Sequence, residues 1–125
     1  MAGTLRIKRV YEPAAQTDGQ RILVDRVWPR GMTHEKAALT LWLKEIAPSA
    51  DLRKWFGHDP ARFTAFRERY RGELAGDSEA VETLCRHMDA GDVTLLYGAR
   101  DTQHNQAVVL AEYLAERGYR FDREG

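Results

Sequence analysis

The stretch Val93-Thr94-Leu95-Leu96-Tyr97 runs straight into Gly98-Ala99-Arg100-Asp101-Thr102-Gln103-His104-Asn105, and then into an apolar stripe at Ala107, Leu110, Ala111 and Leu114. An unbroken apolar run of that length suits a strand buried on both faces. The stripe that follows has helical spacing, with Gly118 past its end and Asp101 or Thr102 placed to cap its start. Strand, polar turn and helix in this order are the repeating unit of a parallel α/β sheet. Upstream, Ile22-Leu23-Val24 is a second apolar run that continues through Asp25-Arg26-Val27-Trp28 until Pro29 and Gly31 stop it. Leu5 to Val10 alternates Leu5 and Ile7 against Arg6 and Lys8, as a strand does. Residues 11–20, with Pro13 and the Asp18-Gly19 pair, form a loop. That loop is too short for a helical crossover, so the pairing of the first two strands stays open. Tyr119-Arg120-Phe121 fits a short edge strand.

Between the inner strands the periodicity is helical. Leu39, Trp42, Leu43 and Ile46 fall at i, i+3, i+4 and i+7, with Pro48 just beyond, which predicts a helix. Asp59-Pro60 opens another, Asp59 as cap and Pro60 in the first turn, with Phe63, Phe66, Tyr70 and Leu74 along one face and Gly76 at the end. Val81, Leu84, Cys85 and Met88 line a third, closed by Gly91. No repeat or linker divides the 125 residues. The expectation is one domain over 1–125: an α/β sandwich with a mainly parallel central sheet flanked by helices.

Composition narrows the function classes. Nineteen basic residues balance nineteen acidic ones, so the whole chain has no strong pull on nucleic acid or anionic membrane, though a local basic patch is compatible with that sum. A lone cysteine, Cys85, rules out an intramolecular disulfide and fits a reducing compartment. Arg6, Lys8 and Arg9 interrupt the N-terminal segment too early for a secretory core, and no apolar stretch nears the ~20 residues that span a bilayer. A cytoplasmic protein is expected, with no membrane association.

Ligands of open α/β sheets bind outside the carboxyl ends of the strands. Two segments leave such ends, Asp25–Gly31 and Tyr97–Asn105. Arg26, Arg30 and Arg100 offer planar donor forks for carboxylate or phosphate oxygens. Gly98 permits close backbone approach, and a helix opening near His104 favours an anion. His104 suits proton transfer near neutral pH. Bland readings stand beside these. Asp25 and Arg26 can pair structurally, Trp28 and Tyr97 suit the core, and His104 can be a plain first-turn residue facing water. In Leu52–Pro60, Trp55 and Phe56 either stack on a flat ring or close the core, the second being favoured, and His58 reads as a capping or packing residue. Cys85 lies on an apolar stripe and reads as a small hydrophobe. Arg62, Arg67, Arg69 and Arg71 interleave with Glu68 and Glu73 as a solvated face. The four histidines share no i, i+4 spacing and no Cys-x-x-Cys exists, so no metal site is expected. Nothing in the sequence identifies a cofactor or an oligomeric state.

Three ordered blocks carry a resemblance. Leu23–Gly31, Leu52–Pro60 and Thr94–Asp101 with His104-Asn105 resemble the signature of the YeaO-like bacterial proteins of domain-of-unknown-function family 488, over about Ile7 to Leu114. The resemblance implies a small α/β sandwich of unassigned activity. It strengthens Asp25, Arg26, Arg30, Arg100, His104 and Asn105 as site candidates. It also implies a cysteine just before the histidine of the last block in many wider-family members, where this chain has Gln103.

Two functions follow. In the first, an enzyme acts on a small anionic substrate: Arg26, Arg30 and Arg100 hold the anion, Asn105 donates a hydrogen bond, Trp28 flanks the ligand, His104 serves as acid or base, and Asp25 orients Arg26 or the histidine. In the second, a non-catalytic module binds a nucleotide, a nucleic acid or a flat cofactor such as haem, with nucleic acid the less favoured partner. A structural or partner-binding role is the remaining reading.

Overall fold

The computed structural model describes residues 2–123. Five strands, β1 (Thr4–Arg9), β2 (Gln20–Leu23), β3 (Leu41–Trp42), β4 (Val93–Tyr97) and β5 (Arg120–Phe121), form one sheet in the order β3-β2-β4-β1-β5. Every pairing is parallel. The first two strands do not pair with each other. Both flank β4, with Ile7 and Ile22 on either side of Leu95. The segment between them crosses β4 without a helix, carrying only a 3-10 turn at Gln16–Asp18.

Period-2 alternation splits the sheet into unlike faces. Leu5, Ile22, Val24, Val93, Leu95 and Tyr97 join the main core together with residues of four helices: α2 (Ala50–Phe56), α3 (Phe63–Ala75), α4 (Ser78–Ala90) and α5 (Gln106–Glu116). The opposite face carries a small cluster of Val10, Leu23, Leu96 and Ala37, the last from the one-turn α1 (His34–Ala37). Beside that cluster the same face holds charge. Buried Asp18 accepts from Lys8 Nζ, Arg21 Nη1 and the Ala15 N–H.

α3, α4, β4 and β5 lie where periodicity puts them, and Asp59 caps the Pro60 turn by accepting from the Ala61 N–H. The helix expected along Leu39, Trp42, Leu43 and Ile46 does not form. Ala38 adopts the left-handed region, φ 47°, and ends α1. Leu41 and Trp42 then pair with Ile22 and Leu23 as edge strand β3, and Thr40 Oγ1 accepts from the Arg21 N–H. A free strand edge supplies backbone partners that a local helix would have had to find in itself. Conversely, Leu52 and Phe56 belong to α2, capped by Ser49 Oγ on the Leu52 N–H and ended at Gly57, φ 55°. Ser49 also ties α2 to α3, its N–H and hydroxyl both donating to Glu73.

The arginine face of α3 is only partly solvated. Arg67 and Arg71 reach across to Glu112 and Glu116 of α5, while Arg69 lies over the Trp55 ring at 4.0 Å. No helix of the described residues is long and apolar enough to cross a membrane.

Candidate functional site

The chain leaves β2 at Leu23 and turns through Val24 to Gly31 across the carboxyl ends of β2 and β4. There it meets α2 and the start of α5 around a cavity of about 410 Å³. All three sequence blocks contribute to it: Asp25, Arg26, Trp28 and Arg30 from the first, Arg53, Lys54, Phe56 and His58 from the second, Gly98 and Asn105 from the third.

Asp25 is the acidic residue of this lining. Its Oδ2 accepts from the Gly98 N–H at 2.9 Å and its Oδ1 from Gln106 Nε2 at 2.5 Å. A Cβ at Gly98 would stand 2.9 Å from Oδ2, so a larger residue there would push the carboxyl out of place. Burial pushes the Asp25 carboxyl up to about 6, against the lowering pull of the Gly98 and Gln106 hydrogen bonds and the charges of Arg53 and His58. Asp25 does not orient Arg26 or a histidine, contrary to what the sequence leads one to expect. Its partners are instead a backbone amide and a glutamine.

Arg26 is half-buried and holds the chain: Nε and Nη2 donate to the carbonyls of Pro48 and Ala47. Those bonds fix the cavity wall. Arg30 is exposed at the rim, its carbonyl accepting from the Tyr11 hydroxyl at 2.7 Å. Among the described residues, Arg30, Arg53 and Lys54 form no ion pair. Trp28 is half-buried. It packs against His34 and Trp42, donates from Nε1 to the Met32 carbonyl, and presents part of its surface to the cavity.

Arg53 and Lys54 line the cavity without standing out in the sequence. Within 52–60 the aromatic pair is the conspicuous feature, but Ser49, Leu52, Phe56 and Gly57 spell a short capped helix. That helix turns Leu52 and Phe56 inward and leaves Arg53 and Lys54 exposed. Phe56 stacks on Phe66 in the core at 4.3 Å, as the favoured reading had it. His58, φ 57°, supplies no cap; its ring packs against that of Phe56 at 6.3 Å while the residue stays exposed on the rim.

The 98–106 segment separates this cavity from a second one. Tyr97, Thr102, Gln103 and His104 line the latter, about 750 Å³, with Lys8, Glu12, Arg67 and Arg123. His104 therefore does not share the cavity of Asp25 and Arg30. Its Nδ1 lies 2.8 Å from Asp101 Oδ2, and its ring meets Phe63 edge-on at 5.1 Å. The Gln103 N–H, with the ring and N–H of His104, holds the Asp101 carboxyl below its ordinary value. The cations of this second cavity are occupied: Arg67 and Arg123 with Glu112, Lys8 with Asp18. Arg100 is exposed and lines neither cavity.

Asn105, not Asp101 or Thr102, caps α5. Its Oδ1 accepts from the Val108 N–H and its Nδ2 donates to the Asp101 carbonyl, and the residue is 1% exposed. His104 thus precedes the helix rather than sitting in its first turn, and a side chain of the protein already occupies the helix N-terminus. Asn105→Ala should cost about 1–2 kcal/mol in urea unfolding. A cost under a few tenths of a kcal/mol would contradict the capping role.

The family model described as "Inactive DUF488-N3 subclade" matches residues 4–125. The chain is 46% identical over 110 residues to the uncharacterised protein YeaO of Escherichia coli K12, covering 88% of this chain and 96% of that one. It is 41% identical over 113 residues to uncharacterised proteins of Mycobacterium bovis and Mycobacterium tuberculosis, covering 90% of this chain and 95% of theirs. No solved structure matches.

Proposed function

The chain belongs to the DUF488-N3i family, and from that premise we propose that it is a binding module for a small phosphate- or carboxylate-bearing ligand, held without chemical turnover in the cavity bounded by Asp25–Arg30, α2 and Gly98. One observation carries the reading. Arg30, Arg53 and Lys54 converge on one cavity without ion-pair partners among the described residues, whereas the cations of the neighbouring cavity are neutralised. Unpaired cations around a partly enclosed space are complementary to an anion, and the field inside such a space is less screened than at open surface. The volume is in the range of small-molecule sites. The family's description as an inactive subclade supports binding without turnover. So does the separation of His104 from the cavity, which removes the proton-transfer histidine from the anion.

Sulfate should bind, measured by calorimetry at low ionic strength, and Arg53→Ala should weaken it about tenfold. Sulfate affinity unchanged from wild type in both Arg53→Ala and Arg30→Ala would sink the reading. The pH dependence has a definite sign. Asp25, faced by Arg53 and His58, loses its negative charge as pH falls through about 6. A bare anion should therefore bind more tightly at pH 5.5 than at 7.5, and Asp25→Asn should shrink that gain.

The enzyme reading keeps one specific support: a carboxyl near 6 in a cavity is poised to exchange protons. Turnover of a bound ligand, abolished by Asp25→Asn, would make that reading the better one.

A further inference from the structure

The cations explain why an anion would enter the cavity, but they leave Asp25 unexplained. Among the described residues it is the one acidic side chain in the lining, and it has no ion pair. It accepts from two neutral donors, the Gly98 N–H and the Gln106 amide. A carboxylate has about four acceptor positions, so about half are unfilled. Arg53 and His58 act on it only through space. Nor can the group swing away without breaking bonds, because the Gly98 N–H holds Oδ2 and Gln106 holds Oδ1. A half-buried carboxylate fixed in this way has no ion-pair partner and only two N–H donors for about four acceptor positions, and burial raises its pKa in spite of them.

We propose that the ligand is bipolar: its anionic group lies against Arg30, Arg53 and Lys54, and an N–H donor group on the same molecule fills the open acceptor positions of Asp25. This rests on the anion-binding reading above and specifies the ligand. A bare anion would satisfy the rim and leave the carboxylate facing like charge. A ligand with both groups satisfies rim and floor together. Phe56, Phe66 and Trp28 in the lining provide apolar surface for an organic body between the two ends. The chemistry is shared by a guanine nucleotide, whose base offers a paired N–H edge, and by a phosphorylated amino acid, which offers an ammonium.

Calorimetry at pH 7.5 and matched ionic strength, with inorganic phosphate, guanosine monophosphate and phosphoserine, tests the proposal and separates the two sources. At least one donor-bearing probe should bind about tenfold or more tighter than phosphate. Asp25→Asn should remove most of that gap, with a urea titration to check that the variant folds. Phosphate binding with no gain for either donor-bearing probe would overturn the bipolar ligand while leaving the anion site standing. So would a gain that survives Asp25→Asn. If no probe binds and Arg53→Ala changes nothing, the anion site falls first and this inference with it.

Discussion

Asp25→Asn should make the protein more stable, and increasingly so as pH rises. The folded-state pKa of Asp25 is raised from 3.8 to about 6. For a carboxyl shifted upward, the folded state binds the proton more tightly than the unfolded chain does. Its stability is therefore fully present below the unfolded value and is lost as pH rises through the folded one. With one pKa unit equal to about 1.4 kcal/mol, the charged carboxylate costs roughly 3 kcal/mol at pH 7.5 and only about 1 kcal/mol at pH 4.5. Asparagine carries no such cost. It keeps the size of the side chain, can accept from the Gly98 N–H, and can donate to Gln106 if that amide turns over. Any loss from imperfect hydrogen bonding is the same at both pH values. The advantage of Asp25→Asn over wild type should thus widen by about 2 kcal/mol between pH 4.5 and 7.5. For a domain of this size that is a difference of about 6–10 °C in melting temperature. A variant less stable than wild type at pH 7.5, by an amount that does not change with pH, would show that Asp25 serves the fold alone.

A group that weakens the fold at neutral pH and sits in a cavity is where a stability–function conflict is expected. The same substitution that stabilises should remove the preference for a donor-bearing ligand. Finding the two effects together would place the cost of Asp25 in binding rather than in packing.

The sequence exposes this site unevenly, for physical reasons. β4 and α3 to α5 are legible because burial imposes their periodicities residue by residue. Leu39, Trp42, Leu43 and Ile46 satisfy the same rule and mislead, because the edge of β2 pairs with Leu41 and Trp42 and no local pattern reports a neighbouring edge. The three blocks each supply residues to the cavity, but Arg100 and His104 of the third lie outside it, and the blocks do not report partners. That Arg26 closes on the carbonyls of Ala47 and Pro48 depends on the path of a distant loop. That His104 faces away depends on Asp101, whose side chain takes the Gln103 and His104 N–H groups in a turn and leaves the cap of α5 to Asn105. Asp101, Thr102 and Asn105 are all good caps by type, and spacing alone does not choose among them.

On the other face of the sheet, Asp18 should show the opposite behaviour, and its loss should be the most damaging single change. Asp18 is 5% exposed and Arg21 4%, and the pair is joined directly, with Lys8 Nζ 3.1 Å from the same carboxylate. Burial alone would raise the Asp18 carboxyl, but the Ala15 N–H, Lys8 and Arg21 outweigh it and hold it below 3.8. Stability from this group is present above that value and is lost as pH falls through the lower folded one. Arg21 has little room to adjust. Nε donates to the Ala37 carbonyl, Nη1 to Asp18, and Nη2 is already buried without a partner among the described residues. Asp18→Ala leaves this guanidinium buried with no counter-charge, which should cost about 3–5 kcal/mol. Against a typical total of about 5–15 kcal/mol, that threatens folding at ordinary temperature. Much of the loss is the stranded charge rather than the missing attraction. Asp18→Ala combined with Arg21→Met should therefore be less damaging than Asp18→Ala alone, a non-additivity that urea unfolding of the four proteins in the cycle measures directly. Strict additivity, or a cost for Asp18→Ala below about 1 kcal/mol, would mean that water reaches Arg21 once the carboxylate is gone and that this face of the sheet is held by its apolar cluster instead.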